Sequence, residues 1–141
     1  MIRDLLIIDD DPSSLYVLKM MVNKGRFADN VITLRNGKEA IEYFERLAAG
    51  EEQVAPELVF SDINMPVMNG LEFVAEYSRR FAHLFPAIKI CIVSALIDSD
   101  ERARALNYSS VIDVSQKPIL LQDLDRLRGL EGIRKYFIGD A

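Results

Sequence analysis

Short apolar runs alternate with amphipathic segments along the chain. Runs of branched and aromatic residues, typical of strands buried on both faces, lie at 5–8, 58–60 and 88–93, with weaker runs at 31–34 and 111–114. The segments that follow them repeat apolar residues every three or four positions, as on one face of a helix. The pattern therefore predicts five alternations of strand and helix.

This order of elements constrains the fold. Strands joined through helices form right-handed crossovers, which build a parallel sheet with helices on both faces. The length of 141 residues suits one doubly wound α/β domain of this kind. In such a domain ligands bind beyond the carboxyl ends of the strands, near the point where the strand order reverses. The polar residues at those ends are therefore the candidates for function.

Charge and composition narrow the possible functions. The net charge of −5 and the scattered basic residues argue against direct nucleic-acid binding. No apolar stretch approaches the roughly 20 residues of a membrane span, and no leader pattern precedes the first strand. We therefore expect a cytoplasmic protein without membrane insertion. Cys91, the single cysteine, is expected to be an inert core thiol, and His83, the single histidine, a surface residue.

Acidic residues follow the first and third predicted strands. The first strand runs into Asp9, Asp10 and Asp11, and the third ends before Asp62. Asp11 precedes Pro12 and is explained as a helix cap, but a cap does not explain Asp9 and Asp10. Carboxylates about 5 Å apart repel by roughly 3 kcal/mol at an effective dielectric near 20. A site with three such groups therefore requires either a bound cation or protonation. A hard divalent cation fits best, and Mg²⁺ takes oxygen ligands of this kind.

Two further polar groups are expected at the same edge of the sheet. Ser94 ends the fourth strand and Lys117 follows the fifth. Each alone is more often a strand-end hydroxyl or a solvated amine. Together with Mg²⁺ and the carboxylates they suit phosphoryl transfer, in which Asp62 attacks, Lys117 and Mg²⁺ neutralise phosphoryl oxygens and Ser94 donates a hydrogen bond.

The order and spacing of these motifs resemble those of the response-regulator receiver family over nearly the whole chain. The matching positions are Asp9-Asp10, Asp62 with Met65-Pro66 and Gly70, Ser94-Ala95 and Lys117-Pro118. The resemblance implies a flavodoxin-like, doubly wound (βα)5 fold with a parallel five-stranded sheet of order 2-1-3-4-5. We expect one receiver domain over 1–141, with its core at about 3–128 and a C-terminal helix or tail at 129–141, which either continues the last helix, folds back or frays.

The resemblance also implies roles for individual residues. Asp62 would be the phosphoacceptor and, with Asp10, a Mg²⁺ ligand; Asp9 would act mainly through a metal-bound water, and Asn64 would supply its backbone carbonyl. Ser94 would follow the phosphoryl group and Lys117 would pair with it. The donor would be the phosphohistidine of a sensor histidine kinase or a histidine phosphotransfer protein, and the signal would pass to a downstream protein target. The chain would be a switch that assists its own phosphorylation and dephosphorylation, not an enzyme.

One position departs from the family pattern. Three residues before the lysine, where the family usually has a switch aromatic, this chain has Val114. An aromatic rotamer change therefore cannot be the output device, and we expect Val114 and the fourth helix to repack instead.

Three other functions compete with this interpretation. A phosphatase of the haloacid dehalogenase type, which works through an aspartyl phosphate, needs a second carboxylate where this chain has Asn64. A receiver-like binding scaffold that is never phosphorylated leaves the acidic cluster and Lys117 without a use. A flavodoxin-type electron carrier needs a phosphate loop after the first strand, where Asp9, Asp10 and Asp11 would repel a phosphate.

Overall fold

The computed structural model describes residues 1–139, in which strands and helices alternate from end to end. The strands are β1 (Ile2–Ile8), β2 (Ala28–Leu34), β3 (Leu58–Ser61), β4 (Lys89–Ser94) and β5 (Val111–Gln116). The helices are α1 (Pro12–Lys24), α2 (Gly37–Ala48), α3 (Gly70–Arg80), α4 (Ser99–Leu106) and α5 (Leu121–Arg128), followed by a 3-10 turn at Arg134–Tyr136. The predicted alternation is confirmed. Within the described part of the chain, no helix combines the length and the apolar character needed to cross a membrane.

The five strands form one parallel sheet of order β2-β1-β3-β4-β5, which confirms the predicted fold. The strand order reverses beside β1, which pairs with β2 on one side and β3 on the other. In the β1–β3 register, Ile8 lies opposite Ser61. The residues that follow these two strands therefore leave the sheet side by side.

Alternate residues of each strand supply two separate core layers. From β1, Leu6 and Ile8 face the layer that includes α2 and α3, whereas Leu5 and Ile7 face the layer that includes α1 and α5. Phe44 is the centre of an aromatic cluster in the first layer, and Cys91 is fully buried in the second. Burial raises the pKa of the Cys91 thiol, which keeps it protonated.

Local capping sets where three helices begin. Asp11 accepts a hydrogen bond from the Ser13 N–H at 3.1 Å, and Pro12 occupies the first turn of α1, so the predicted cap is confirmed. Asn69 with Glu72 caps α3, and a similar reciprocal pair caps α4. These caps fix the points at which the chain turns from the site edge of the sheet into the helices.

The segment after α5 folds back over the second core layer. Ile133 is fully buried, and the Phe137 ring lies 5.2 Å from that of Phe27. The Arg128 guanidinium lies 5.6 Å from both rings and donates a hydrogen bond to the carbonyl of Gly25, at the end of α1. Buried residues therefore extend past residue 128, the end of the core that the sequence predicts. Residues 140 and 141 of the expected tail lie outside the described residues.

Two buried tyrosines provide a test of the packing. The Tyr77 hydroxyl is buried and has no hydrogen-bond partner among residues 1–139, and burial raises its pKa. The Tyr43 hydroxyl donates to the Val54 carbonyl. We expect Tyr77→Phe to raise the free energy of unfolding by about 1 kcal/mol, because a desolvated hydroxyl is removed. Tyr43→Phe should lower it by about 1 kcal/mol, because a hydrogen bond is lost. Urea denaturation measures both, and equal losses would show that Tyr77 has a partner.

Candidate functional site

The β1–β3 register brings two carboxylates together at the site edge of the sheet. Asp9 and Asp62 each follow the last residue of their strand, and the hydrogen-bond ladder continues through both of them. The Asp9 N–H donates to the Leu34 carbonyl at 2.9 Å and the Asp62 N–H to the Ile8 carbonyl at 3.0 Å. Asp9 is 1% exposed and Asp62 8% exposed. Both carboxylates are therefore held in a largely buried position by backbone pairing.

A third carboxylate completes an acidic cluster. Asp10 is exposed beside Asp9, and one oxygen each from Asp9, Asp10 and Asp62 lie within 4.8 Å of one another. The Asp9 Oδ1 atom accepts from the Asp11 N–H at 2.9 Å, and the Asp62 Oδ1 atom from the Ile63 N–H at 2.7 Å, so both carboxylates are oriented. Three convergent carboxylates form the hard oxygen set that Mg²⁺ takes in proteins. The donor chemistry fits the predicted metal.

Lys117 is the counter-charge of this cluster. Its Nζ lies 2.7 Å from Asp9 Oδ2 and 3.1 Å from Asp62 Oδ2. The backbone places it there, because the Lys117 N–H donates to the Ser94 carbonyl at 2.9 Å beyond the end of β5. Burial alone would lower the pKa of Lys117, but the hydrogen bonds to Asp9 and Asp62 and their charges outweigh burial and raise it. The metal-free cluster is thus partly balanced, and its repulsion is smaller than three unpaired carboxylates would give.

Ser94 contributes a hydroxyl that has no hydrogen-bond partner among residues 1–139. It ends β4, is fully buried, and its Oγ atom makes no hydrogen bond to any described residue. It lines one open depression together with Asp62, Asn64 and Lys117. A buried donor without an acceptor costs free energy unless a ligand uses it. The hydroxyl therefore suits an anionic group seated above Asp62.

Sequence reasoning missed Ser14, which lines the same depression. It lies in the first turn of α1, and a helix that starts at the site edge of the sheet presents its first turn to the site. The proline that starts α1 was the signal from which this position could have been found. An adjoining apolar cavity of about 220 Å³ shares Ser14 and Lys117 with the depression and is bounded by Val17, Leu18, Val93 and Ile119.

The loop after β3 depends on a glycine at its far end. The Gly70 N–H donates to the Ile63 carbonyl at 2.8 Å. A Cβ atom at position 70 would lie 2.0 Å from the Asp62 carbonyl oxygen, so no side chain fits without moving the backbone of Asp62. Within the loop, Val67 has a φ of 69°, a left-handed conformation that β-branched residues rarely adopt. Asn64 is exposed in this loop, and its backbone carbonyl is the group expected to bind Mg²⁺.

Two other residues considered in the sequence analysis, His83 and Val114, lie away from the acidic cluster. His83 is exposed between α3 and β4, which is at the amino edge of the sheet and opposite Asp62. Val114 is 3% exposed in the first core layer, and its carbonyl accepts a hydrogen bond from Arg102 Nη1 of α4 at 2.9 Å. The position of the usual aromatic is thus filled by a small buried side chain. The structure brings Asp9, Asp10, Asp62, Ser94 and Lys117 together as expected, while their individual roles stay predictions.

Comparison with known proteins agrees with this arrangement. A family model described as the response regulator receiver domain matches residues 5–127. The chain is 27% identical over 136 residues to the probable methanogenesis regulatory protein FilR2 of Methanothrix harundinacea, covering 96% of this chain and 83% of that protein. It is 35% identical over 105 residues to the protein-glutamate methylesterase/protein-glutamine glutaminase 2 of Methanospirillum hungatei, where 74% of this chain matches 26% of the relative. A solved two-component response regulator from Cytophaga hutchinsonii has a TM-score of 0.80 at 25% identity, over 89% of this chain and 93% of that one.

The charge balance of the site leads to a stability prediction. In Lys117→Met, the buried carboxylates of Asp9 and Asp62 lose their counter-charge, so we expect the free energy of unfolding without metal to fall by about 3 kcal/mol. Added Mg²⁺ should recover part of this loss, because it binds only the folded cluster. Lys38→Met removes an exposed lysine and should change stability by less than about 0.5 kcal/mol. Denaturant titrations with EDTA or Mg²⁺ measure these values, and equal effects of the two variants would contradict the balance described above.

Proposed function

Because this chain belongs to the response-regulator receiver family, we propose that it is a Mg²⁺-dependent switch that accepts a phosphoryl group on Asp62. The observation that carries the proposal is the placement of Asp62 near Lys117, two further carboxylates and the Ser94 hydroxyl, which has no partner in the described part of the chain. Asp62 is oriented by the Ile63 N–H through Oδ1, which leaves its Oδ2 atom toward Lys117. An oriented carboxylate beside cationic and donor groups is the arrangement that phosphoryl transfer requires.

The proposed transfer needs little chemistry from the protein beyond positioning. An Asp62 oxygen attacks phosphorus, the P–N bond to the donor imidazole breaks as the new P–O bond forms, and the imidazole leaves with the bonding electron pair. Lys117 turns from the two carboxylates toward a phosphoryl oxygen, and the Ser94 hydroxyl donates to another. Charge-assisted contacts of this kind are stronger than those between neutral groups, so they favour the phosphorylated arrangement.

Asp9, Asp10, Asp62 and the carbonyl of Asn64 are the proposed Mg²⁺ ligands, with Asp9 acting through a water. When bound, Mg²⁺ supplies positive charge to the oxygens of the transferring group. The fit rests on the three converging carboxylates of the structure. Lys117 contacts two of them, and a divalent cation and Lys117 together would supply three positive charges to the three carboxylates.

We propose a cytoplasmic phosphohistidine donor, either a sensor histidine kinase or a histidine phosphotransfer protein, and a protein target for the output. The net charge of −5 supports a protein target over nucleic acid. The chain acts as a switch and not as an enzyme with a separate substrate. The methylesterase in the name of one relative belongs to a protein of which this chain matches 26%.

The proposed output face consists of α4, β5 and α5. Two arginines tie the helices to the strand between them: Arg102 of α4 donates to the Val114 carbonyl at 2.9 Å, and Arg126 of α5 pairs with Asp113 at 2.9 Å. We propose that the loop between Ser94 and α4 is drawn toward Asp62 when the Ser94 hydroxyl donates to a phosphoryl oxygen. That movement strains the contact between Arg102 and Val114, so α4 shifts against β5 without an aromatic switch.

Phosphorylation itself is tested by intact mass. The protein incubated with Mg²⁺ and acetyl phosphate should gain the mass of one phosphoryl group, and Asp62→Ala should gain none, because the attacking carboxylate is missing. Asp29→Ala, which changes an exposed aspartate on β2, should be labelled like the wild type. Stoichiometric labelling of Asp62→Ala would mean that another residue is the acceptor. An unlabelled wild type that still binds Mg²⁺ would favour a scaffold.

The output face is tested by hydrogen exchange with the phosphoryl mimic beryllofluoride. Changes in protection should concentrate between residues 95 and 121, which contain α4 and β5. Arg102→Met without the mimic should reproduce part of these changes, because it removes the contact with Val114. Arg104→Met alters an exposed arginine on the same helix and should not. Changes confined to α2 and α3 would place the signalling surface elsewhere.

A further inference from the structure

The loop between β3 and α3 has an anchor outside the acidic cluster, at the start of α2. The Gly37 N–H donates to the Met68 carbonyl at 3.0 Å. Gly37 is the first residue of α2, so its N–H is one of the helix N-terminal groups that have no partner within the helix. The loop carbonyl fills that role. The loop and α2 are therefore joined by a hydrogen bond between backbones.

Only a residue without a side chain allows this approach. A Cβ atom at position 37 would lie 2.7 Å from Met68 Cγ and 2.9 Å from the Met68 carbonyl oxygen, whereas ordinary contacts begin near 3.4 Å. The Met68 side chain can move, but its carbonyl oxygen belongs to the loop backbone. Any side chain at position 37 thus forces the loop and α2 apart by about half an ångström at the carbonyl.

This displacement would reach the metal site through a short and tightly held segment. Asn64 lies between the anchor at the base of the loop, where Gly70 bonds Ile63, and the anchor at Met68. The Met68 N–H donates to the Pro66 carbonyl at 2.8 Å across Val67, so the tip of the loop is a tight three-residue turn. Met65 is buried in the first core layer and limits other ways of absorbing the shift.

We propose that Gly37 is a positioning residue for the metal site. Because glycine has no side chain, the Met68 carbonyl can approach the start of α2, and this contact sets the position of the Asn64 carbonyl. The inference rests on the proposed function, in which that carbonyl is a Mg²⁺ ligand. Groups that hold metal ligands in place commonly change metal affinity by one to two orders of magnitude when they are altered, because ligands tolerate only small displacements.

Gly37→Ala tests the proposal through metal affinity measured by calorimetric titration with MgCl₂. We expect the Kd for Mg²⁺ to rise about ten-fold. Gly129→Ala is the matched control, because a Cβ there meets only the Arg126 carbonyl oxygen, at an ordinary 3.6 Å. Alanine is the better helix former, so a purely structural role for Gly37 as a helix residue predicts a similar or higher melting temperature and unchanged Mg²⁺ affinity. A Kd for Gly37→Ala within two-fold of the wild-type Kd would overturn the proposal.

A second measurement uses the unmodified protein, so it does not depend on the variant folding. The Met68 carbonyl accepts a hydrogen bond from the Gly37 N–H. If this carbonyl moves with the metal site, saturating Mg²⁺ should shift the amide proton resonance of Gly37 and leave that of Gly129 unchanged. An unshifted Gly37 resonance at saturation would overturn the inference alone. A wild type that binds no Mg²⁺ at all would instead overturn the proposed function together with this inference.

Discussion

The parallel pairing of β1 with β3, in the register that sets Ile8 opposite Ser61, is the constraint on which the site depends. It forces Asp9 and Asp62 out of the sheet side by side, nearly buried, at the point where strand order reverses. Two like charges in such a position need a partner of opposite charge. Lys117 provides this positive charge, because its ammonium group contacts both carboxylates. One side chain therefore compensates the two charges that the backbone pairing brings together.

This partner comes from far along the chain. Lys117 is 108 residues from Asp9 and 55 from Asp62. The charges of the two carboxylates are therefore compensated only when β5 is paired in the sheet and positions the residue that follows it. The same ammonium is the group that would meet a phosphoryl oxygen. If Lys117 acts as proposed, folding and phosphorylation both use this side chain, and a change at Lys117 should affect both. Stability measured without metal and phosphorylation measured with it report on different partners of the same side chain.

The sequence was sufficient wherever a local pattern determines the structure. Buried parallel strands read as continuous apolar runs, and the polar residue that ends each run marks the site edge, so the fold and the members of the acidic cluster could be predicted. Contacts between residues that are far apart in the sequence could not be predicted in this way. The relief of repulsion by Lys117, the contact of Arg102 with the Val114 carbonyl and the burial of Ile133 all depend on tertiary packing, which periodicity does not encode. The role of Gly37 was not predicted, because a side chain there is excluded by Met68, which lies 31 residues further along the chain.

The proposed signal would have to pass through the loops at the site edge, because the sheet is closely packed. The strands are buried in two packed layers, and packed interiors transmit displacement because they do not compress. If a phosphoryl group binds above Asp62 as proposed, we expect the loop that carries Asn64 and the loop that follows Ser94 to adjust to it. The first loop leads into α3 and contacts α2 through Met68, and the second leads into α4. In the proposed mechanism, one event at the site would bias contacts on two surfaces, and the contact of Arg102 with the Val114 carbonyl would convert a small movement of the second loop into a shift of α4.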